Sequence, residues 1–381
     1  MKFLGKKTTP MIVRFITLLA FFATSFLLFA QVFIPEYLSD WSLHLGFIKY
    51  PQGDTNYSLL HIVLSYIYKT TDNFHIVSMA LAFLGFFSNV ISYFLVRDYL
   101  LKKIDKEKYI VELLSLTLFF VSMIIVPLRE LRYLGIGTPN PWHNPTYSLC
   151  RPFAIGSFIL ITKVNELFQQ NKKFIKYLIL LSITLFLSVL MKPSFYFVFL
   201  PATFLYYLYV LIKGKFKKFW DCVLLGLSVV PAGLVLVVQN IILFGEENAI
   251  AITLQGKLWR GYAPYGSVLL AIILGMAFPL FVTFTNIKKL SFEHILVALA
   301  CVFGTIEAYF FIEEGPRYQH GNFLWGYYFC MFFAFLISLI TFVNNKEKTK
   351  TYKVIGWSLF SLHLLCGIFY FAEILFGHSY F

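Results

Sequence analysis

"KFIKYLILLSITLFLSVLMKPSFYFVFLPATFLYYLYVLIKGKFKK", residues 173–218, contains two long apolar runs parted only by Lys192-Pro193 and flanked by lysines. Each run is about the length that a helix needs to cross the hydrocarbon of a bilayer, roughly 20 residues. The separation is so tight that the two runs must form a helical hairpin. Working outward with the same ruler predicts further spans near 11–33, 74–96, 109–127, 152–168, 219–243, 267–287, 291–312, 322–343 and 353–376. With 174–191 and 193–212 the count is about eleven. Composition agrees: the 381 residues are 59% hydrophobic and 13% charged, with a mean hydropathy of +0.74. The expected fold is therefore an all-α, polytopic transmembrane bundle, a single integral-membrane domain over 1–381 with no soluble domain or internal repeat. The opening "MKFLGKK" precedes an apolar run longer than a signal-peptide core and lacks a following A-x-A site, so an uncleaved first span is expected.

The formal net charge of +13 is a topology signal. With the N-terminus cytoplasmic, 21 of the 32 basic residues fall in short inner segments around residues 2–7, 97–108, 172–176, 213–218, 288–289 and 346–353. Nine lie outside, balanced there by nine acids. That is the positive-inside pattern, and it assigns the surplus charge to anionic lipid, not to nucleic acid. The expected location is a cell membrane of bacterial type, crossed many times. The five cysteines are scattered without a C-x-x-C pair, and most lie in apolar spans as small hydrophobes.

Chemistry is expected on the outer face, where the segments are longer and mixed. In the first, 34–73, two short interfacial helices flank a "PQGDTN" turn. Leu38, Trp41, Leu45 and Ile48 form one stripe of the first helix, and Ser39 is a plausible N-cap. Asp40 and His44, four residues apart, share a face beside that stripe. A carboxylate there can take a proton from a hydroxyl while an imidazole orients it. A capped, solvated helix would use the same acid against its dipole. The second outer loop, 128–151, contains "GTPNPWHNPTYSLCR". It presents Trp142, His143 and Asn144 as candidate sugar or acceptor contacts, and Arg151 as a planar donor to phosphate. Arg260 and Arg317, in the third and fourth outer segments, are further phosphate candidates. A belt of interfacial aromatics with snorkelling arginines is the plainer alternative. Gln239, Asn240, Glu307 and Glu373 fall in the outward thirds of their spans, where ionisable groups need a cavity or a partner. Asn89 and His363 lie mid-span, as interhelical hydrogen-bond partners would.

An outer-face acid after the first span, in a loop of interfacial helices followed by many spans, resembles the GT-C superfamily of integral-membrane glycosyltransferases. The resemblance covers most of the chain as architecture. It maps the family's catalytic acid to Asp40 in "LSDWSLH", residues 38–44. Members often carry two adjacent acids there; this chain has Ser39-Asp40-Trp41, which leaves Asp54 in "QGDTN" as a second candidate base. The "PWHNPTY" loop is similar to one in uncharacterised bacterial membrane proteins. The resemblance implies transfer of a sugar from a polyprenyl-phosphate donor to an extracytoplasmic glycan or lipid acceptor. It requires no organic cofactor and leaves a divalent metal open, with no metal ligands assigned. A flippase or transporter of lipid-linked saccharides, a surface-polysaccharide polymerase and a non-catalytic assembly protein are the competing classes. No nucleotide-binding glycine loop, H-E-x-x-H or G-x-S-x-G sequence is present.

Overall fold

The computed structural model describes residues 8–31, 40–50, 58–124, 137–243, 250–314, 318 and 321–376. Among these, fourteen α-helices carry nearly all the ordered backbone. In chain order they are α1 (Thr8–Gln31), α2 (Asp40–Lys49), α3 (Leu59–Thr71), α4 (Phe74–Lys103), α5 (Lys108–Thr117), α6 (Pro145–Gln169) and α7 (Ile175–Met191), followed by α8 (Ser194–Lys213), α9 (Phe219–Leu243), α10 (Lys257–Tyr262), α11 (Val268–Thr285), α12 (Phe292–Phe310), α13 (Trp325–Asn344) and α14 (Lys350–Leu375). Among the described residues, seven segments are long and apolar enough to cross a membrane: α4, α8, α9 to Ile241, α11, α12, α13 with the turn from Asn322, and α14. Met11–Leu27 and Ile175–Met191 are shorter apolar helical stretches. The chain is thus a helical protein with several helices able to span a bilayer. α13 is the hub, with 83% of its most apolar window buried, whereas α9 lies at the periphery with 17%.

Polar contacts sort the turns into two groups. At one end, Lys103 pairs with Glu293 at 2.8 Å and Lys346 with Asp105 at 2.8 Å. There too, Asn344 donates to the Lys103 carbonyl, Asn345 to Asn286, and Lys348 to the Thr285 carbonyl. These are turns read as inner from their lysines, and we refer to them as the basic end. Asp40, Asn144 and Lys192 meet at the other end, as described below. A two-stranded antiparallel sheet, β1 (Ile250–Ile252) with β2 (Phe311–Glu313), joins two further segments and was not expected.

Three local readings need correction. The apolar run 109–127 is not one helix. α5 ends at Thr117, and Leu118–Met123 continues as buried non-helical chain. Its backbone groups find partners elsewhere, as burial in an apolar setting demands. Asn140 Nδ2 donates to the carbonyls of Leu118 and Val121, at 2.9 and 3.0 Å. Ser122 and Ile124 donate to the carbonyls of His363 and Leu274. The Leu274 carbonyl is free for this because α11 is kinked at Met276, ahead of Pro279. The kink also releases the Phe278 N–H, which donates to His363 Nε2, while His363 Nδ1 donates to the Ser122 carbonyl at 2.6 Å. His363 is therefore the interhelical partner its mid-span position suggested.

Second, the loop expected over 128–151 is shorter. Pro145 takes the first helical position of α6 and Asn144 caps it, accepting from the Tyr147 N–H. Residues 145–151 are thus the first two turns of a buried helix. Third, the stripe of α2 faces protein. Trp41, Leu45 and Ile48 are buried, Trp41 lies over Gly85 of α4, and its indole N–H donates to the Trp142 carbonyl at 2.9 Å. A Cβ at position 85 would approach the Trp41 ring to 2.8 Å, so the glycine makes room for it. Leu38 and Ser39 lie outside the described residues.

Candidate functional site

α2 begins at Asp40, and α6 begins one residue after Asn144, so both helix starts place short polar side chains at the same end. Asn144 Nδ2 donates to Asp40 Oδ2 at 2.7 Å. Asn144 Oδ1, besides capping α6, accepts from Thr146 Oγ1 at 2.9 Å. Thr146 Oγ1 in turn accepts from Lys192 Nζ at 3.2 Å. A single run of hydrogen bonds, all donated in one direction, links the ammonium of the α7–α8 hairpin to the carboxylate of α2. Such chains polarise one another and strengthen cooperatively. The Lys192 ammonium also lies 4.5 Å from the centre of the Trp325 indole, a cation–π contact.

His143 flanks this run. Its Nε2 is 3.9 Å from Asp40 Oδ2, too long for a hydrogen bond, and its Nδ1 meets the Tyr370 hydroxyl at 2.7 Å. Burial holds the imidazole below its usual pKa, with Asp40 pulling upward and Lys192 pushing down. The ring thus lies between the carboxylate and the Tyr370 hydroxyl. His44 pairs with His61 of α3, ring on ring at 5.0 Å with Nδ1 and Nε2 2.8 Å apart. Burial first, then the Lys192 charge, lowers His61 to about 4. The two rings form a second polar layer beside Lys192.

The other candidates separate. Arg151 is 2% exposed, not a surface donor. Its guanidinium donates to Asn89 and, at 3.1 Å, to Asn140, and lies over the Phe119 and Trp142 rings at 4.8 and 5.5 Å. The charge binds α6 to α4 and to the broken segment after α5, so its expected place at a phosphate is corrected: it sits in the second helical turn, pointing inward. Trp142 is likewise buried, among Phe21, Phe120 and Phe371, and offers no open face to a sugar. Arg260 is exposed on α10. Arg317 and Asp54 lie outside the described residues. Of the polar residues in the spans, Asn89 holds Arg151, Gln239 donates to the Val189 carbonyl, and Asn240 is exposed. Glu307 is buried against Gly326, with neither carboxyl oxygen hydrogen-bonded among the described residues. Among those residues no three His, Cys, Asp or Glu side chains group as metal ligands would.

Sequence reading placed Thr146 on the outer loop without giving it a role, and passed over Lys192, Trp325, Tyr370 and His61 as members of the site. Only Lys192 gave a signal, a lysine at the tip of an otherwise apolar hairpin. No protein-family model, curated protein or solved structure matches the chain.

Proposed function

We propose that the protein is a membrane glycosyltransferase of GT-C type, which moves a sugar from a polyprenyl-phosphate donor to an extracytoplasmic glycan or lipid. The observation that carries this reading is the Asp40–Asn144–Thr146–Lys192 run, which brings a carboxylate and an ammonium together at the end remote from the basic turns. In the proposed topology about eleven segments cross the membrane, the N-terminus is cytoplasmic and the Asp40 end faces outward. Asp40 takes the proton of the acceptor hydroxyl as its oxygen bonds the anomeric carbon, and the carbon–phosphate oxygen bond breaks. The departing phosphate carries the developing negative charge. Lys192 takes the stabilising role that Arg151 cannot, and Arg260 remains a second candidate from the edge. His143, held by Tyr370, orients the acceptor.

The test is sugar transfer by purified protein in vesicles supplied with labelled polyprenyl-phosphate sugars. Asp40→Asn should lower the rate at least about a hundredfold, the usual scale for a general base. A folded variant that transfers as fast as the original removes Asp40 from the chemistry. One observation favours a second reading, passage of a lipid-linked saccharide: the apolar chain leaves helix after α5 and α11 is kinked beside it, and transporters use such non-helical backbone to line a path. Movement of labelled donor between leaflets without hydrolysis or transfer would favour that alternative.

A further inference from the structure

The turn between α8 and α9 reads Lys213, Gly214, Lys215, Phe216, Lys217, Lys218, Phe219, Trp220. It joins two of the helices long enough to cross a membrane, so it lies at headgroup depth. Lys213, Lys215 and Lys217 are exposed, and so are Phe216, Phe219 and Trp220, the last at 75%. Lys215 and Phe216 both adopt left-handed backbone, with φ of 49° and 61°. Bulky non-glycine residues pay strain to do so, and the turn is held by hydrogen bonds from Lys215 to Ile212 and from Phe216 to Leu211.

Lys218 differs from its neighbours. Its ammonium donates to the Phe168 carbonyl at the end of α6 and covers the Phe168 ring. Phe168 packs on Phe174, the residue before α7. This clamp sets the α8–α9 turn beside the α6–α7 turn, where Lys172, Lys173 and Lys176 are exposed as well. Six exposed lysines, interleaved with aromatics at the membrane boundary, form one surface. Asp221, at the start of α9, is half-buried.

We infer that these two turns form a binding site for anionic phospholipid, with lysines on the phosphate and Phe216, Phe219 and Trp220 seated at the acyl boundary. The charge sign selects the lipid class, and the aromatics distinguish a lipid surface from a soluble polyanion. The site is independent of the proposed transferase chemistry at the opposite end.

The test uses full-length protein in neutral detergent, titrated with phosphatidylglycerol or phosphatidylcholine, with bound lipid counted by native mass spectrometry. The triple variant Lys213→Gln, Lys215→Gln, Lys217→Gln should bind phosphatidylglycerol about a hundredfold more weakly, from about fivefold per lysine. The control triple Lys288→Gln, Lys289→Gln, Lys350→Gln removes equal charge from other exposed positions at the basic end and should change affinity less than about threefold. Equal losses in both triples would overturn the site, as would equal retention of phosphatidylcholine by the original protein. Capture of a short RNA as tightly as of the anionic lipid would also refute it.

Discussion

Replacing Asn144 by aspartate changes one group at the centre of the candidate site. The side chain keeps an oxygen to cap α6, where the helix dipole favours an acid. The amide that donates to Asp40 is exchanged for a second carboxyl oxygen, 2.7 Å from Asp40 Oδ2. Two ionised carboxylates at that separation repel by about 6 kcal/mol at an effective dielectric constant of about 20. Keeping one carboxyl protonated at pH 7 costs about 4 kcal/mol against an ordinary value near 4. Protonation therefore wins, and an O–H···O bond of ordinary length replaces the lost N–H···O bond. The folded Asn144→Asp variant holds a proton that the unfolded chain releases above about pH 4. A proton held more tightly in the folded state gives stability below the unfolded pKa that is lost as pH rises, so the penalty grows upward from about pH 4. Between pH 5 and pH 7 the deficit relative to the original protein should widen by about 3 kcal/mol. Equilibrium unfolding in detergent at several pH values measures it, with Asn144→Ser as the uncharged control whose deficit stays flat. A deficit in Asn144→Asp that does not change across that range would refute the Asn144–Asp40 contact and the run built on it.

Further outcomes follow from contacts elsewhere. A Cβ added at Gly367 would fall on the Phe120 carbonyl, a backbone group that cannot swing aside, so Gly367→Ala should lower stability by about 3 kcal/mol, the upper range for overpacking, in a thermal or denaturant melt. Arg151→Lys keeps the charge but loses the fork that spans Asn89 and Asn140, and should cost about 2 kcal/mol or more by the same measurement. His61 is held at about 4 by burial and Lys192, against 6.5 when unfolded. The unfolded chain binds the extra proton between those values, so stability is full above about pH 6.5 and falls toward pH 4, by up to about 1.4 kcal/mol per pH unit. His61→Gln should flatten that part of the curve.

Seven of the apolar runs and the hairpin at Lys192 were legible because bilayer thickness fixes how long an apolar run must be, and that length is local information. Asn89 and His363 were legible for a related reason: a polar group in mid-span must find a partner on another helix. The break after α5 was not legible, since apolar residues suit buried extended chain as well as helix. Its cause lies in Asn140, His363 and the kinked α11, each far along the chain. The start of α6 was misread although its signal was present. Asn144-Pro145 looks like a loop among so many prolines, yet it is also an N-cap followed by proline at the first helical position. That shift of seven residues moved Arg151 from an expected surface to the interior. Lys192 was hidden in the opposite way, because a lysine between two spans ordinarily snorkels to water. Its burial is set by Thr146 and Trp325, residues that no local pattern connects to it.

The spacing within the run bears on what the site can do. A carboxylate and an ammonium in direct contact would satisfy each other, and separating them for a ligand would leave two uncompensated charges in a poorly solvated place. Asn144 and Thr146 stand between Asp40 and Lys192, so within the run each charge meets a neutral group that a ligand can replace at lower cost. A ligand with a hydroxyl at one end and an anionic group at the other could engage both ends of the run. This favours a bipartite substrate over a simple ion, and it sets a requirement on variants. Thr146→Val removes the hydroxyl that receives the lysine while leaving both charges in place. If a ligand takes over the lysine from Thr146, that variant should bind a polyprenyl-phosphate sugar about tenfold more tightly, the scale of one charged hydrogen bond that no longer has to be displaced. If the run is only structural, stability should fall and affinity for the donor should stay unchanged.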